Sequence, residues 1–415
     1  MVISGNYPTD YCYIYTMASV IKRINDYNAG IPATMQEMKW KALQESAFRF
    51  YRGTCHLFAQ DFVKMYKDKP KVKTWICGDL HFENFGSFKG ENRQVYFDLN
   101  DFDESILAGP EAEIARFITS IVIAAGQMKT GAIGLHKTIH DIMEAYTETI
   151  DLGKAMMMER DVSFGHFKTF FENLETFDRQ SFIDKHTYKH KGALLIKTDN
   201  VHFMPLDESR KALIFDGMDA LLEHNDHFKH LVIEDIAYRI AGTGSLGLER
   251  YCVLCFSKKK GKRYLIDVKQ SRPSCYSGLV DIKQPTFDNE AIRVKNVGYM
   301  MQFNSPAFLT SVEIDGIWYL VKEMQLVENK MAVADFEKDF KGLSEVAVEM
   351  ARLMAYAHLR SSGRMGSSTI DELRKFANKH QWQKDIIELC GDMAKKNNKY
   401  FKEFCKVEEG VNKRF

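Results

Sequence analysis

Two acidic loops between residues 77 and 104 constrain this chain more than any other feature, because each follows a short apolar run. The first, Gly-Asp-Leu-His-Phe-Glu-Asn, holds Asp79 and Asn84, and the second, Asn-Asp-Phe-Asp, holds Asp101. A phosphoryl-transfer site needs one carboxylate to hold the acceptor hydroxyl, and an amide oxygen with further carboxylates to hold the divalent ions on the nucleotide phosphates. We therefore predict that Asp79 is the catalytic carboxylate and that Asn84 and Asp101 are metal ligands. Any one of these residues alone could be an ordinary turn former.

The overall charge of the chain is nearly balanced, with 57 basic and 56 acidic residues among 415. No strong field draws such a chain to nucleic acid, so we predict no nucleic-acid partner. The sequence shows neither a basic-then-apolar leader nor a run of about 18 apolar residues, which predicts no transmembrane segment and a cytoplasmic location. The eight cysteines are scattered through apolar stretches, as reduced thiols are in a cytosolic protein.

A glycine-rich stretch, Gly-Thr-Gly-Ser-Leu-Gly, follows a strand-like run in the second half of the chain. The spacing is weak evidence by itself, because it also occurs in dinucleotide-binding folds, where a helix begins at the glycines. Here two β-rich segments, 250–256 and 264–270, follow around a polar turn and indicate a hairpin. In protein kinases a glycine loop covers the nucleotide phosphates, and a lysine on a following strand reaches them. The residues predicted to bind the nucleotide in this way are Gly242, Gly244, Ser245, Gly247 and Lys269.

The alternative for Lys269 is a surface hairpin position with the ammonium group in solvent. A catalytic lysine is normally fixed by a glutamate on the following helix. We expect a helix over 287–303, so Glu290 in its first turn is the predicted partner, although a glutamate there could instead complement the helix dipole. The segment 322–325 is predicted to connect two lobes, where the backbone at Met324 could meet an adenine edge.

The order of these parts predicts the fold class. We expect an α+β, two-lobed, protein-kinase-like fold in which the catalytic half of the helical lobe, 1–232 with a helical insertion at 150–232, precedes a β-rich nucleotide-binding lobe at 233–328. The remaining helices of the large lobe would follow at 329–415. In ordinary kinases the glycine loop comes before the catalytic aspartate, so the order here implies a circular permutation, which is permissible where termini lie close together at the surface.

Several short motifs resemble one family. They are Phe-Tyr-Arg-Gly at 50–53, the two acidic loops at 78–86 and 97–104, Val-Lys at 268–269, Arg293 with Gln302, and Ala-His-Leu-Arg-Ser at 357–361. In this order they resemble the bacterial domain-of-unknown-function family numbered 2252, which is placed by similarity in the protein-kinase-like superfamily near the aminoglycoside and choline phosphotransferases.

The resemblance implies that ATP and a divalent ion, Mg²⁺ or Mn²⁺, bind between two lobes. Position by position, it implies a catalytic role for Asp79, a supporting role for His81, and phosphate binding by Lys269. The implied metal ligands are Asn84, Asp101 and Asp103. The chain departs from the family pattern where Glu113 stands in place of an aspartate, and where Arg364 follows Gly363 in place of an acidic residue.

The predicted function is an ATP-dependent phosphotransferase acting on a hydroxyl acceptor, either a protein or a small molecule. Two alternatives remain open: a catalytically inactive nucleotide-binding scaffold, and a kinase-fold enzyme that transfers AMP. The basic run at 185–191 is most simply a solvated surface, and the alternative is that it binds a phosphate-rich ligand.

Overall fold

The computed structural model describes residues 19–128, 134–225, 228–325 and 329–412, and within these ranges the chain is α+β, as the sequence predicted. The helices are α1 (Val20–Tyr27), α2 (Ala33–Gln44), α3 (Ala47–Gly53), α4 (Cys55–Met65), α5 (Pro110–Gln127), α6 (Leu135–Leu152), α7 (Gly165–Thr176), α8 (Arg179–His186), α9 (Glu208–His224), α10 (Glu290–Met301), α11 (Phe340–Ser361), α12 (Ile370–Ala377) and α13 (His380–Asn412). The strands are β1 (Thr74–Ile76), β2 (Phe85–Lys89), β3 (Val95–Leu99), β4 (Ile106–Ala108), β5 (Thr187–His190), β6 (Ala193–Ile196), β7 (Phe203–Met204), β8 (Leu231–Arg239), β9 (Arg250–Ser257), β10 (Lys262–Gln270), β11 (Thr310–Ile314) and β12 (Ile317–Glu323).

A helical body is built around α5, which is buried on nearly every face. It begins with Pro110 at its first position, where the missing N–H costs nothing because the first helical amides have no partner within the helix. Helices α3 and α13 pack on α5, and α6 packs on α11. Segments from both ends of the described chain therefore share one hydrophobic core. No helix of the described part is long and apolar enough to cross a membrane.

The second part of the molecule is an antiparallel sheet of six strands in the order β11-β12-β10-β9-β8-β7. The predicted hairpin is formed by β9 and β10, and β11 and β12 form a second one. Asp315 and Gly316 turn the second hairpin with φ values of 53° and 73°, which suits the two positive φ angles of a type I′ turn. Helix α9 packs on β8 and β11.

The region 150–232, which the sequence predicted to be helical, also contains three short strands. Strands β5 and β6 pair with each other, and β7 joins the edge of the six-stranded sheet. In the first hairpin only Thr187 and Ile196 are buried. With one buried residue in each strand, these strands have no apolar alternation for the sequence to reveal.

Two small pairs of strands hold the acidic loops. Strand β1 leads into the first loop and pairs with β4, which follows the second loop. Strands β2 and β3 form a hairpin between the two loops. The start of the first loop therefore lies next to the end of the second loop. This pairing fixes the distance between the two loops at the edge of the helical body.

Candidate functional site

A cleft of about 1090 Å³ lies between the sheet and the helical body. Ten of the predicted site residues line it: Asp79, His81, Asn84, Asp101, Asp103, Gly242, Gly244, Ser245, Lys269 and Met324. The other two, Gly247 and Glu290, are not among its lining residues. The cleft thus brings together residues from the acidic loops, the glycine loop (residues 241–247) and the end of β10.

Lys269 lines the cleft and pairs with the carboxylates of Asp101 and Asp103 in the second acidic loop. Its Nζ donates to Asp101 Oδ2 at 2.9 Å and contacts Asp103. Burial opposes the charge of Lys269, but the two carboxylates outweigh it and raise its pKa. Burial likewise opposes the charge of Asp101, and there Lys269 and Lys322 outweigh it and lower the pKa. For Asp103, burial and the neighbouring Asp101 raise the pKa.

Asp79 is fixed by an arginine from α5. Arg116 donates from Nε at 3.0 Å and from Nη2 at 2.7 Å, and both bonds go to Asp79 Oδ1. Arg116 thus binds only one of the two carboxylate oxygens of Asp79. Burial raises the pKa of Asp79 to about 6, against the opposing effect of Arg116. A carboxylate with this pKa can accept a proton near neutral pH.

Asn84 ties the two acidic loops together. Its Nδ2 donates to the carbonyl oxygens of Asp79 at 2.9 Å and Asp101 at 3.4 Å. His81 Nδ1 accepts from the amide of Glu83 at 3.1 Å, which caps the short 3₁₀ turn that carries Asn84. Burial and the charge of Arg52 lower the pKa of His81, so the ring is neutral. The contacts of His81 are those of a residue that supports the loop.

Gly78 explains why the first loop begins with glycine. Its φ is +80°, and a Cβ at this position would lie 2.1 Å from the carbonyl oxygen of Glu104. Any side chain would force the two acidic loops apart. The two acidic loops can therefore lie side by side in the cleft only because residue 78 is a glycine.

The departure at Glu113 is accommodated by a buried network. Glu113 Oε1 accepts from the amide of Cys77 at 2.9 Å, directly before the first acidic loop. Its Oε2 lies 3.0 Å from His358 Nε2, and His358 Nδ1 lies 2.8 Å from the hydroxyl of Tyr146. Both side chains of the Glu113–His358 pair are fully buried. Helices α5, α6 and α11 thereby hold the start of the loop in place.

Helix α10 positions the second acidic loop through an arginine and not through the predicted glutamate. Glu290 accepts from Arg293 Nε at 2.5 Å and lines a separate cavity of about 540 Å³. Arg293 donates to the carbonyl oxygens of Asp103 at 2.8 Å and Ser105 at 2.6 Å. The structure therefore gives Lys269 the acids of the loop as partners in place of Glu290. The sequence signal for this contact is Arg293 itself, which lies one helical turn after Glu290 and belongs to the short motifs that carry the family resemblance.

The glycine loop contacts the N-terminal helices α2 and α3. The sequence did not predict this contact. Lys39 Nζ on α2 donates to the carbonyl oxygen of Gly244 at 2.8 Å, and Arg49 Nε on α3 donates to Thr243 Oγ1 at 3.2 Å. Burial, with the charge of Arg272, lowers the pKa of Lys39 to about 7. These two bonds anchor the glycine loop to α2 and α3 at Gly244 and Thr243.

The remaining glycine-loop residues have structural contacts as well. Ser245 Oγ donates to the carbonyl oxygen of Ala241 at 3.4 Å. Gly247 has a φ of +97°, and a Cβ there would lie 2.3 Å from a methyl carbon of Ile31. Gly247 thus allows close packing against the segment before α2.

A charged network that the sequence did not reveal lies on the sheet face of the cleft. Asp267, two residues before Lys269, accepts from Arg250 at 2.8 and 2.6 Å and from Arg239 at 2.7 Å. Burial opposes ionisation of Asp267, but the two arginines outweigh it and lower the pKa. Next to this network, the amide of Met324 donates to the carbonyl oxygen of Leu265 at 2.8 Å. The N–H of Met324 is therefore used within the sheet.

The donor set of the cleft fits a divalent ion held partly by phosphate oxygens. Among the described residues, the carboxylates of Asp79, Asp101 and Asp103 do not come close enough together to share one ion. Mg²⁺ is commonly bound by one or two carboxylates together with substrate phosphates and water. Asp101 and the carbonyl oxygen of the Asn84 side chain, with Asp103 nearby, suit that mode.

The basic run at 185–191 divides between the cleft and the surface. Lys185 and His186 line the cleft together with Lys197 and His202. The rest of the run forms β5 and the turn after it, and residues 188–191 are exposed. The residues of the run that could meet a ligand in the cleft are therefore its first two.

The fold and the cleft define an α+β protein with a charge-lined cleft between a sheet and a helical body. A family model described as "Uncharacterized protein conserved in bacteria (DUF2252)" matches residues 31–407. The chain belongs to this family, and every predicted site residue lies inside the match. No curated protein and no solved structure matches the chain.

Proposed function

We propose that the protein is an ATP-dependent phosphotransferase, an atypical kinase that moves the γ-phosphate of ATP to a hydroxyl acceptor with Mg²⁺ or Mn²⁺. The observation that carries the proposal is the meeting of Lys269 with Asp101 and Asp103 in the cleft that Asp79 lines. Ordinary turn chemistry does not require such a meeting, whereas a nucleotide site requires a lysine for the phosphates and acids for the metal.

The proposed fold is a circularly permuted, protein-kinase-like one. Its support is the order of parts in the sheet: the glycine loop joins β8 to β9, Lys269 lies on β10, α10 follows, and β11 and β12 lead to the connector after Met324. Kinases have the glycine loop, the lysine strand and the helix in this order. The permutation is supported by the acidic loops, which come before this unit in sequence and meet it in the cleft.

In the proposed reaction, Asp79 orients the acceptor hydroxyl and takes its proton through Oδ2, while Arg116 fixes Oδ1. Lys269 holds the nucleotide phosphates, and the backbone amides of the glycine loop cover them and exclude water. Asp101, Asn84 and Asp103 would hold the divalent ion, which neutralises charge on the phosphates when it is bound. When Lys269 turns to the phosphates, the two acids are released for the metal.

The test is transfer of labelled γ-phosphate in the presence of Mg²⁺ or Mn²⁺, first with the protein alone and then with cell lysate. Asp79→Ala and Asp101→Ala should each abolish transfer while circular dichroism remains that of the folded protein. Full activity in either variant would overturn the assignment. The matched control is Asp281→Ala, because Asp281 is fully exposed and far from the acidic loops in sequence.

Two other outcomes would replace the proposal. Thermal stabilisation by ATP without transfer to any acceptor would indicate a nucleotide-binding scaffold. Transfer of label from the α-phosphate, with the larger mass increase of an adenylate on the acceptor, would indicate AMP transfer.

A further inference from the structure

One wall of the cleft carries three basic residues that the proposed nucleotide site does not use. Arg49 and Arg52 of α3 and Lys330 line this wall beside the first acidic loop. Arg49 pairs with Glu45, and Arg52 pairs with Glu83, whose other oxygen accepts from the amide of Val333 at 3.1 Å. In the ranges that the structure describes, no acid forms an ion pair with Lys330, so the wall keeps one unpaired positive charge.

Arg52 and Lys330 each carry a nitrogen without a hydrogen-bond or ion-pair partner in the described part of the chain. Arg52 Nε is buried and has no hydrogen-bond partner among the described residues. Burial and the charge of Arg52 lower the pKa of Lys330 to about 7. Two neighbouring positive charges in a partly desolvated wall repel each other. An anion that binds between them offsets this repulsion.

The location of the wall points to the acceptor and not to the nucleotide. Arg52 follows Tyr51, whose carbonyl oxygen accepts from the same Arg116 Nη2 that binds Asp79 Oδ1, and Arg52 itself pairs with Glu83 in the first acidic loop. The attacking and leaving oxygens lie in line on opposite sides of the transferred phosphoryl group. An acceptor hydroxyl must therefore lie beside Asp79, where Arg52 of α3 and Lys330 line the same cleft.

We propose that Arg52 and Lys330, with Arg49 at the rim, form a second anion site that binds a phosphate or carboxylate group of the acceptor. This inference rests on the proposed phosphotransferase function and narrows its acceptor to a hydroxyl compound that carries a negative group. The guanidinium of Arg52 can bind either anion with two parallel hydrogen bonds, and Lys330 supplies a point charge.

The experiment measures binding of inorganic phosphate and, separately, of succinate to the full chain saturated with Mg²⁺ and a non-hydrolysable ATP analogue. Phosphate or succinate should bind together with the analogue. Arg52→Gln and Lys330→Met should each weaken that binding by about tenfold or more, since a charge-assisted hydrogen bond contributes about 1.5–3 kcal/mol. Affinity for the analogue should change by less than about twofold.

The control variants separate charge from folding. Lys330→Arg keeps the charge and should retain most of the anion binding, whereas Lys341→Met removes an exposed lysine and should change nothing. Competition between the anion and the analogue, an equal loss of analogue affinity in Lys330→Met, or no anion binding to the wild-type chain would overturn the inference. If the analogue itself does not bind, the proposed phosphotransferase function fails, and titration of phosphate alone still tests the anion site.

Discussion

Lys269 Nζ donates to Asp101 Oδ2 at 2.9 Å across a sequence separation of 168 residues. Lys269 lies one residue before the end of β10 in the six-stranded sheet, and Asp101 lies in a loop of the helical body. Their contact closes the cleft, because it fixes the sheet against the acidic loop that Asn84 ties to Asp79. The proposed chemistry depends on this contact opening when a nucleotide binds.

Asp79→Asn should lower kcat by about 10²–10⁴-fold, the range lost when a general base is removed. The amide oxygen of the variant can still accept from Arg116, so the protein should remain folded. The measurement is steady-state phosphate transfer together with a thermal melt. Asp281→Asn, a change of the same kind at an exposed site, should behave as the wild type.

The pH profile of transfer should rise through about pH 6, because the pKa of Asp79 is raised to about 6 and the proposed base must be ionised. Below that pH, the rate should fall about tenfold for each pH unit, and the inflection should be missing from the residual rate of Asp79→Asn. Since the pKa of the folded state lies above the ordinary value of 3.8, the folded protein holds the extra proton between these values. The contribution of Asp79 to the free energy of unfolding should therefore decrease as pH rises from about 4 to 6. A rate independent of pH from 5 to 8 would contradict the role of Asp79.

Lys269→Met should weaken ATP binding by about tenfold or more, because the phosphates lose a charge-assisted contact. It should also raise the pKa of both Asp101 and Asp103, which then repel each other without a cation between them. Titration calorimetry with Mg²⁺ and an ATP analogue measures the first effect. Lys69→Met, at a lysine whose side chain is 92% exposed, is the matched control, and equal affinities in the two variants would contradict the assignment.

Asp101→Asn should raise the Mg²⁺ concentration needed for half-maximal transfer, and EDTA should abolish transfer by the wild type. A neutral amide is a weaker ligand than a carboxylate for a hard cation such as Mg²⁺. A titration of activity against Mg²⁺ at saturating ATP gives the result. An unchanged Mg²⁺ requirement would show that Asp101 does not bind the ion.

Glu113→Ala should lower the free energy of unfolding by about 3–5 kcal/mol, because His358 and the amide of Cys77 lose their buried partner. Glu113→Gln keeps an acceptor for that amide and should lose less. Urea denaturation followed by circular dichroism measures both. Glu345→Ala removes a half-exposed glutamate and should change the free energy of unfolding by less than about 0.5 kcal/mol. A Glu113→Ala loss as small as this would contradict the role of the network.

Much of the fold follows from local sequence. Two β-rich apolar runs and the polar turn between them define β9 and β10, and the dipeptide Asp315-Gly316 forms the turn of the next hairpin. Asn289 directly precedes α10 and caps it by accepting from the amide of Ile292. These features could be predicted because neighbouring residues determine backbone angles and periodicity. The short strands β5 to β7 could not, because they bury too few side chains to leave a pattern.

The amino-acid sequence by itself determined the two acidic loops, the glycine loop, the lysine that ends β10 and the family to which they belong. Only the tertiary structure decided which side chains meet. Arg293, and not Glu290, donates to the second acidic loop. Lys39 donates to the glycine loop, and Glu113 contacts His358, which lies 245 residues further along the chain. The physical reason is that a polar pairing depends on distance in space and on burial, and neither leaves a periodic signal along the chain.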